Sequence, residues 1–231
     1  MSIKLTKNWI QAKQREQLLE KEKLETELKF LRSQFNPHFL FNTINSIFVL
    51  IHKNPRMASE SLVKFSDLLR YQLYECNEQK IPLSQELVYL ENFIELQKLR
   101  QDHDHVELTV RVEPYHTGNL TIAPFVLIPF IENAFKHVSQ RKDQLNWIRM
   151  SLRFEGQQLR LDIANSISAH YGASTEPIQH GGIGLQNVKR RLDLLYPGKH
   201  ALEIHQDDNQ FRVALRLDLQ EGGQQNLIGD E

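Results

Sequence analysis

The sequence has little of what marks disulfide-linked, membrane-spanning or nucleic-acid-binding proteins. Its 231 residues include a single cysteine, which excludes an internal disulfide and a cysteine-rich metal site and favours a reducing compartment. No apolar run approaches the roughly 18–20 residues of a membrane-spanning helix. Lys and Arg number 28 against 29 Asp and Glu, so the formal charge of −1 argues against binding by phosphate neutralisation. We therefore expect a cytoplasmic protein with no nucleic acid among its partners.

The first 35 residues are dense in Lys, Glu and Gln and predict a helix. Leu24, Leu28, Leu31 and Phe35 recur at alternating spacings of four and three, which indicates a short coiled coil; a solvated amphipathic helix fits the same pattern. Basic residues before this repeat are typical of a segment that leaves the cytoplasmic side of a membrane. We expect a membrane-spanning sensor upstream of Met1 in the parent protein, which would then lie at the cytoplasmic face of the membrane.

Three further helices are predicted before residue 102. Proline in Asn36-Pro37 interrupts the first helix and starts the next, which runs to about Lys53. A second amphipathic helix, from about Ala58 to Cys76, makes a helical hairpin with it. A third, from Ser84 to about Arg100, opens with a sequence that resembles a capping box, Ser84-Gln85-Glu86-Leu87.

After residue 102 the periodicity becomes that of strands mixed with helices. The predicted elements are a strand over Val106–Glu113, a helix over Ile122–Val138, a hairpin of Trp147–Phe154 and Leu159–Ala164 turning at Glu155-Gly156, a helix over Gly184–Tyr196, and paired strands over Leu202–Gln206 and Phe211–Leu219. Helices with largely antiparallel strands predict an α+β layered fold. The polar tail after Gln220 is expected to be disordered.

His38 is the first candidate functional residue. The helix that begins at Pro37 is apolar nearly all round, yet His38, Asn42, Asn45 and His52 fall on one stripe. Such a helix belongs in a bundle whose polar strip carries His38. A histidine beside a proline that merely helps to begin a helix is the alternative.

A second candidate site follows in the run Glu132-Asn133-Ala134-Phe135-Lys136-His137. Asn133, Lys136 and His137 stand at i, i+3 and i+4, so an amide, an ammonium and an imidazole share one helix face. Oxygen ligands suit Mg²⁺ and lysine suits a phosphate, so the group favours Mg²⁺ with a polyphosphate. Ordinary surface polarity is the weaker alternative.

The third candidate is a glycine cluster, residues 180–187, that runs into a helix. Glycines at a helix start let backbone N–H groups approach a phosphate, although loops and helix caps use the same residues. The preceding segment, from Ser166 to Gln179, is rich in small and polar residues and predicts a mobile flap over a ligand.

Three stretches in this order resemble the phospho-acceptor motif, the N box and the glycine-rich box of LytS-type sensor histidine kinases: residues 34–42, 129–137 and 182–192. The resemblance spans about Leu24 to Leu219. It implies a dimerising helical hairpin that bears the acceptor histidine, followed by a two-layer α/β sandwich of the GHKL (Bergerat) ATP-binding type.

The resemblance also implies roles for individual residues. His38 becomes the phospho-acceptor, and Asn133 becomes the Mg²⁺ ligand, with Glu132 beside it as a catalytic neighbour and a second candidate ligand. The implied nucleotide-binding residues, beyond Asn133 itself, are Lys136, His137, Asn165, Gly182, Gly184, Leu185 and Asn187. The implied cofactors are ATP and Mg²⁺, and the implied partners are a second copy of the chain and a response regulator, of LytTR type.

One position departs from the family pattern. Many of these kinases carry an aspartate that reads the adenine amine, whereas this chain has Asn165. An amide oxygen still accepts that hydrogen bond, but without the charge that roughly doubles its strength. The favoured function is a histidine autokinase of a two-component system; the alternatives are an ATP-binding module without phosphotransfer and a GHKL ATPase.

These patterns and the resemblance together divide the chain into five parts. They are a coiled-coil helix over 1–35, a dimerisation and phosphotransfer hairpin over 36–83, a connecting helix over 84–105, a catalytic domain over 106–220 and a disordered tail over 221–231.

Overall fold

A computed structural model describes Lys13, Arg15 and residues 37–75, 78–99, 106–114, 119–141, 144–168 and 183–222. The chain divides into two compact units, residues 1–45 and 46–231. The predicted coiled coil lies outside the described residues except for two helical positions, as do the flap from residue 169 onward and the tail from residue 223 onward. Among the described helices, none combines the length and apolarity needed to cross a membrane.

Three helices account for most of the chain between residues 37 and 98. Helix α1 is Pro37–Lys53 and α2 is Pro55–Arg70, which continues into a π-helical turn, Tyr71–Glu75. The side chain of Asn54 separates α1 from α2, because its Oδ1 accepts the Met57 amide at 3.1 Å and caps α2. Helix α3, Leu83–Lys98, packs against α2.

The predicted capping box at the start of α3 is wrong. The N-cap position is Pro82, which has no side-chain oxygen and makes no capping hydrogen bond. Glu86 is fully buried instead of reaching back to the helix start. The helix begins at Leu83, so Ser84 already lies within its first turn instead of at the N-cap, and the buried side of that turn carries Leu83 and Glu86.

The main sheet has five strands, which are β2 (Val106–Val112), β4 (Asn146–Glu155), β5 (Gln158–Ser166), β6 (His200–Gln206) and β7 (Gln210–Asp218). They lie in the order β2-β4-β5-β7-β6. The β4–β5 hairpin turns where predicted, at Gly156, whose φ of 59° favours glycine. All pairs in this sheet are antiparallel except β2 with β4.

Two helices cover one face of this sheet. Helix α4, Ile128–His137, contacts β5, and helix α5, Ile183–Leu195, contacts both α4 and β6. Alternate residues of β4, β5 and β7 are buried, as expected for a sheet with one covered face. The predicted α+β class is therefore confirmed.

The predicted helix over Ile122–Val138 is wrong in its first third. Ile122 ends a short strand, β3 (Leu120–Ile122), which pairs with β1 (Ile81–Pro82) and β8 (Gln220–Glu221). Residues 123–127 form a turn before α4 begins. Residues 122–128 are all buried, so their hydrophobic pattern has no periodicity by which the strand, the turn and the start of the helix could be distinguished.

Candidate functional site

Helix α1 presents three adjacent faces. The polar strip of His38, Asn42, Asn45 and His52 is exposed except at Asn42, which is half-buried. Beside it lies an exposed apolar stripe, at spacings of three and four, formed by Phe41, Ile44, Phe48 and Ile51. The remaining face is buried and includes Phe39, Thr43 and Ile47. The structure thus leaves the His38 ring open to solvent.

Asn42 contacts the imidazole of His38. Its Nδ2 lies 2.9 Å from Nε2 and 3.3 Å from Nδ1 of the ring, one helical turn away. An amide NH₂ group only donates hydrogen bonds, so the ring nitrogen that accepts must carry a lone pair. The contact therefore places a hydrogen-bonding amide directly beside the imidazole ring.

Helix α4 carries the predicted metal and phosphate residues near its C-terminal end. Glu132, Asn133 and His137 are half-buried, and Lys136 is exposed. Burial lowers the pKa of His137, and the neighbouring Lys136 charge lowers it further. Glu132 and Asn133 are adjacent in the sequence and offer a carboxylate and an amide oxygen, which are ligands that Mg²⁺ prefers. Within the described ranges, no cluster of three His, Cys, Asp or Glu side chains is placed to hold a metal ion by itself.

Asn165 lies near the end of β5 and is fully buried. Its Nδ2 donates to the Ser166 carbonyl at 3.1 Å, but its Oδ1 has no hydrogen-bond partner among the residues that the structure describes. A buried acceptor without a donor is unusual in a folded protein, and the N–H group of a ligand or a water molecule would satisfy it. The adenine amine, which the resemblance assigns to Asn165, is a donor of the required kind.

A network of serines joins α4 to the end of β5. The Ser139 amide, just beyond α4, donates to the Ser166 carbonyl at 2.8 Å, and its hydroxyl lies 3.1 Å from that of Ser168. The structure therefore brings the C-terminal end of α4 and Asn165 to one end of the domain. Single serines carried no distinctive signal, so sequence analysis missed this connection.

The glycine-rich candidate is described only in part. Gly182 lies outside the described residues, whereas Gly184 is exposed in the first turn of α5. Apart from its chain neighbours and the backbone of α5, no atom of the described residues lies within 4 Å of the place a Cβ would occupy. Asn187 is exposed, but the Leu185 side chain is buried, so only its backbone is available to a ligand. The open space at Gly184 is compatible with a phosphate at the start of α5.

Comparison with known proteins fits this arrangement. Residues 26–105 match the family model for histidine kinase. Over 205 residues the chain is 30% identical to the sensor protein LytS of Streptococcus mutans, an alignment that covers 85% of this chain and 35% of that protein. The chain resembles the LytS-type sensor histidine kinases. The resemblance predicted from three motifs is thus confirmed.

A second sensor histidine kinase, BtsS of Escherichia coli, is 28% identical over 196 residues, covering 84% of this chain and 33% of that protein. The chain spans about a third of the length of these curated relatives. Among solved structures, the histidine kinase AdeS of Acinetobacter baumannii aligns with 85% of this chain and 96% of its own, at 17% identity and a TM-score of 0.42.

Proposed function

We propose that this chain is the phospho-accepting and nucleotide-binding part of a sensor histidine kinase of a two-component system. His38 takes the γ-phosphoryl group of ATP, which then passes to an aspartate of a response regulator, of LytTR type. The observation that carries this proposal is the exposed His38 ring, held by Asn42 on the polar strip of α1. The similarity to LytS and BtsS supports it.

The His38 ring supplies the nucleophile. A ring nitrogen attacks the γ-phosphorus, a P–N bond forms, the bond to the bridging oxygen breaks and ADP leaves. The proton on the other ring nitrogen passes to water. Asn42 orients the neutral ring and gives up its contact when that nitrogen reacts, a movement that solvent exposure permits.

The remaining candidate residues bind the nucleotide. The orphaned Oδ1 of Asn165 accepts the adenine amine, and the start of α5 at Gly184 faces the phosphates. Asn133, with Glu132 beside it, would hold Mg²⁺, which when bound offsets the negative charge of the polyphosphate. Lys136 adds a further positive charge, as phosphoryl transfer relies mainly on positioning and charge neutralisation.

The exposed apolar stripe of α1 supports a homodimer. Phe41, Ile44, Phe48 and Ile51 follow the spacing by which two helices pack, and all four are exposed in a single chain. A second copy of the helical hairpin, residues 36–83, covers this stripe in our proposal. Residues 106–220 then form the GHKL-type catalytic domain, and the whole chain is the output part of a receptor at the cytoplasmic face of a membrane.

Incubation with γ-labelled ATP and Mg²⁺ tests the proposed function. We expect acid-labile, base-stable label on the wild-type chain, its loss in His38→Gln and after chelation by EDTA, and its retention in His52→Gln. His52 is the matched control because it is an exposed histidine on the same strip. Nucleotide binding without label would indicate a non-catalytic module, and steady phosphate release that survives His38→Gln would indicate an ATPase.

A further inference from the structure

The turn that precedes helix α4 contains a strained residue. This junction turn, Ala123–Leu127, is buried, and Phe125 within it has a φ of 57°, a left-handed conformation that a bulky side chain rarely adopts. Such strain persists only where surrounding contacts hold the backbone in place. Helix α4 begins immediately afterwards, so the turn sets where Asn133 lies.

Side chains from two other helices hold the junction turn. From α3, Glu86 Oε2 accepts the Phe125 amide at 3.1 Å. From the end of α5, the Tyr196 hydroxyl accepts the Ala123 amide at 2.7 Å, and Arg191 Nη2 donates to the Pro124 carbonyl at 2.6 Å. Each of these three bonds reaches a backbone atom of the turn, which explains how its conformation is maintained.

Glu86 also connects the turn to the end of helix α2. The same Oε2 accepts the Tyr71 hydroxyl at 2.6 Å, and Tyr71 is the first residue of the π-helical turn that continues α2. Three aromatic rings surround this link: Tyr71 stacks on Tyr89 with centroids 4.5 Å apart, and both meet the Phe125 ring edge-on. Short π-helical turns often occur at functional positions.

We propose that Glu86 is a positioning residue for the nucleotide site, which fixes helix α4 through the junction turn and ties it through Tyr71 to the end of α2. This proposal rests on the proposed function, since it assigns the binding of ATP to α4. A shift of α2 along its axis would pull on Tyr71 and Glu86 and change the place of Asn133. The link therefore couples the end of α2 to the proposed metal and phosphate residues of α4.

Steady-state phosphorylation kinetics of the full chain test this link. Tyr71→Phe removes one hydroxyl and keeps the stacked ring, and Glu86→Gln keeps the shape of the side chain. We expect each to raise the KM for Mg-ATP several-fold, because Tyr71→Phe removes a hydrogen bond to the buried Glu86 carboxyl group. Glu86→Gln puts an amide with two additional N–H donors where that group accepts from Tyr71 and Phe125. Tyr74→Phe is the matched control, because Tyr74 lies on the same π-helical turn and is 73% exposed.

The KM distinguishes positioning from mere stabilisation. A variant that only unfolds more easily has less active protein and a lower apparent kcat, but its folded molecules bind ATP with the wild-type KM. An unchanged KM in both Tyr71→Phe and Glu86→Gln would overturn the proposal, as would an equal rise in Tyr74→Phe.

Hydrogen exchange without nucleotide gives a second, independent readout. We expect faster exchange over residues 123–137 in Tyr71→Phe, with the β4–β5 hairpin unchanged as an internal reference for the folded state. If the wild-type chain neither binds ATP nor labels His38, the proposed function fails, while this exchange still decides whether Tyr71 and Glu86 hold α4. Wild-type exchange over 123–137 in both variants would refute the link itself.

Discussion

The amide of Asn42 touches the ring that we propose to be phosphorylated, so its removal is a direct test at the scale of one residue. We expect Asn42→Ala to lower the rate constant for His38 phosphorylation roughly three- to tenfold, because a neutral hydrogen bond contributes about 1 kcal/mol. The KM for ATP should stay at the wild-type value, since Asn42 does not bind the nucleotide. Asn45→Ala, one turn further along the same strip, is the control; an equal loss there would show a general effect on the helix.

Asn165 makes a second prediction from a single side chain. Asn165→Asp places a charged acceptor where the orphaned Oδ1 now lies, so we expect ATP to bind several-fold more tightly. Without nucleotide the variant should melt at a lower temperature, because a buried carboxylate costs more than a buried amide. Calorimetric titration and melting curves with and without Mg-ATP measure both effects.

The control for that pair of measurements is Asn146→Asp. Asn146 is also a fully buried asparagine, so a carboxylate there should lower the stability in the same way. We expect no gain in ATP affinity there. Weaker ATP binding by Asn165→Asp would contradict the assignment of Asn165 to the adenine amine.

Residues with a local motif were predictable, and residues whose role depends on distant contacts were not. The spacing within α1 placed His38 and Asn42 on one polar strip, as the structure has them. Glu86 followed a serine at a helix start and was therefore interpreted as part of a capping box. Its actual partners, Tyr71 and Phe125, lie 15 and 39 residues away in sequence, and no local rule identifies them.

At the scale of elements, hairpins were predicted more accurately than the buried run before α4. Gly156 and the alternating strands beside it define β4 and β5 locally. The parallel pairing of β2 with β4 has no such local signal, because the strands are joined through β3 and α4. In residues 122–127, the strand and the strained turn are set by contacts with β1, α3 and α5.

The β6–β7 hairpin offers a test of pH dependence. Asp207 accepts the Asn209 amide, the Gln210 side-chain amide and the Gln210 backbone amide, and these hydrogen bonds lower its pKa. The Asp207 carboxylate therefore stabilises the folded protein above pH 3.8, which is the ordinary pKa of the group in the unfolded chain. This stabilisation is lost as the pH falls through the lower pKa of the folded state. We expect Asp207→Asn to reduce the melting temperature at neutral pH and to approach the wild type in acid. Asp208→Asn is the control; a difference between Asp207→Asn and wild type that persists unchanged in acid would contradict this account.

At the scale of the whole molecule, the proposed homodimer depends on the apolar stripe of α1 as its interface. Phe48 is 63% exposed in the single chain, and Phe48→Glu would place a charge inside the proposed interface. We expect the dimer dissociation constant to rise by roughly a hundredfold or more, since an unpaired buried charge is costly. Sedimentation measures this change across a range of concentrations. Leu194→Glu, on α5 and 73% exposed, should leave the oligomeric state as it is; a wild-type chain that is monomeric throughout would contradict the proposal.

The three-stranded sheet joins the end of the described chain to the segment that leads into the junction turn. Strand β8 pairs with β3, and the Gly222 amide donates to the Asn119 carbonyl at 2.6 Å. A Cβ at Gly222 would lie 2.9 Å from the Thr121 side chain, so only glycine fits without displacement. Strand β3 leads straight into the junction turn. Trimming the protein before Gly222 would remove one hydrogen bond beside the β3–β8 pair, and trimming before Gln220 would remove the pair itself. Shortened versions made for crystallisation or ligand screening should therefore retain this glycine.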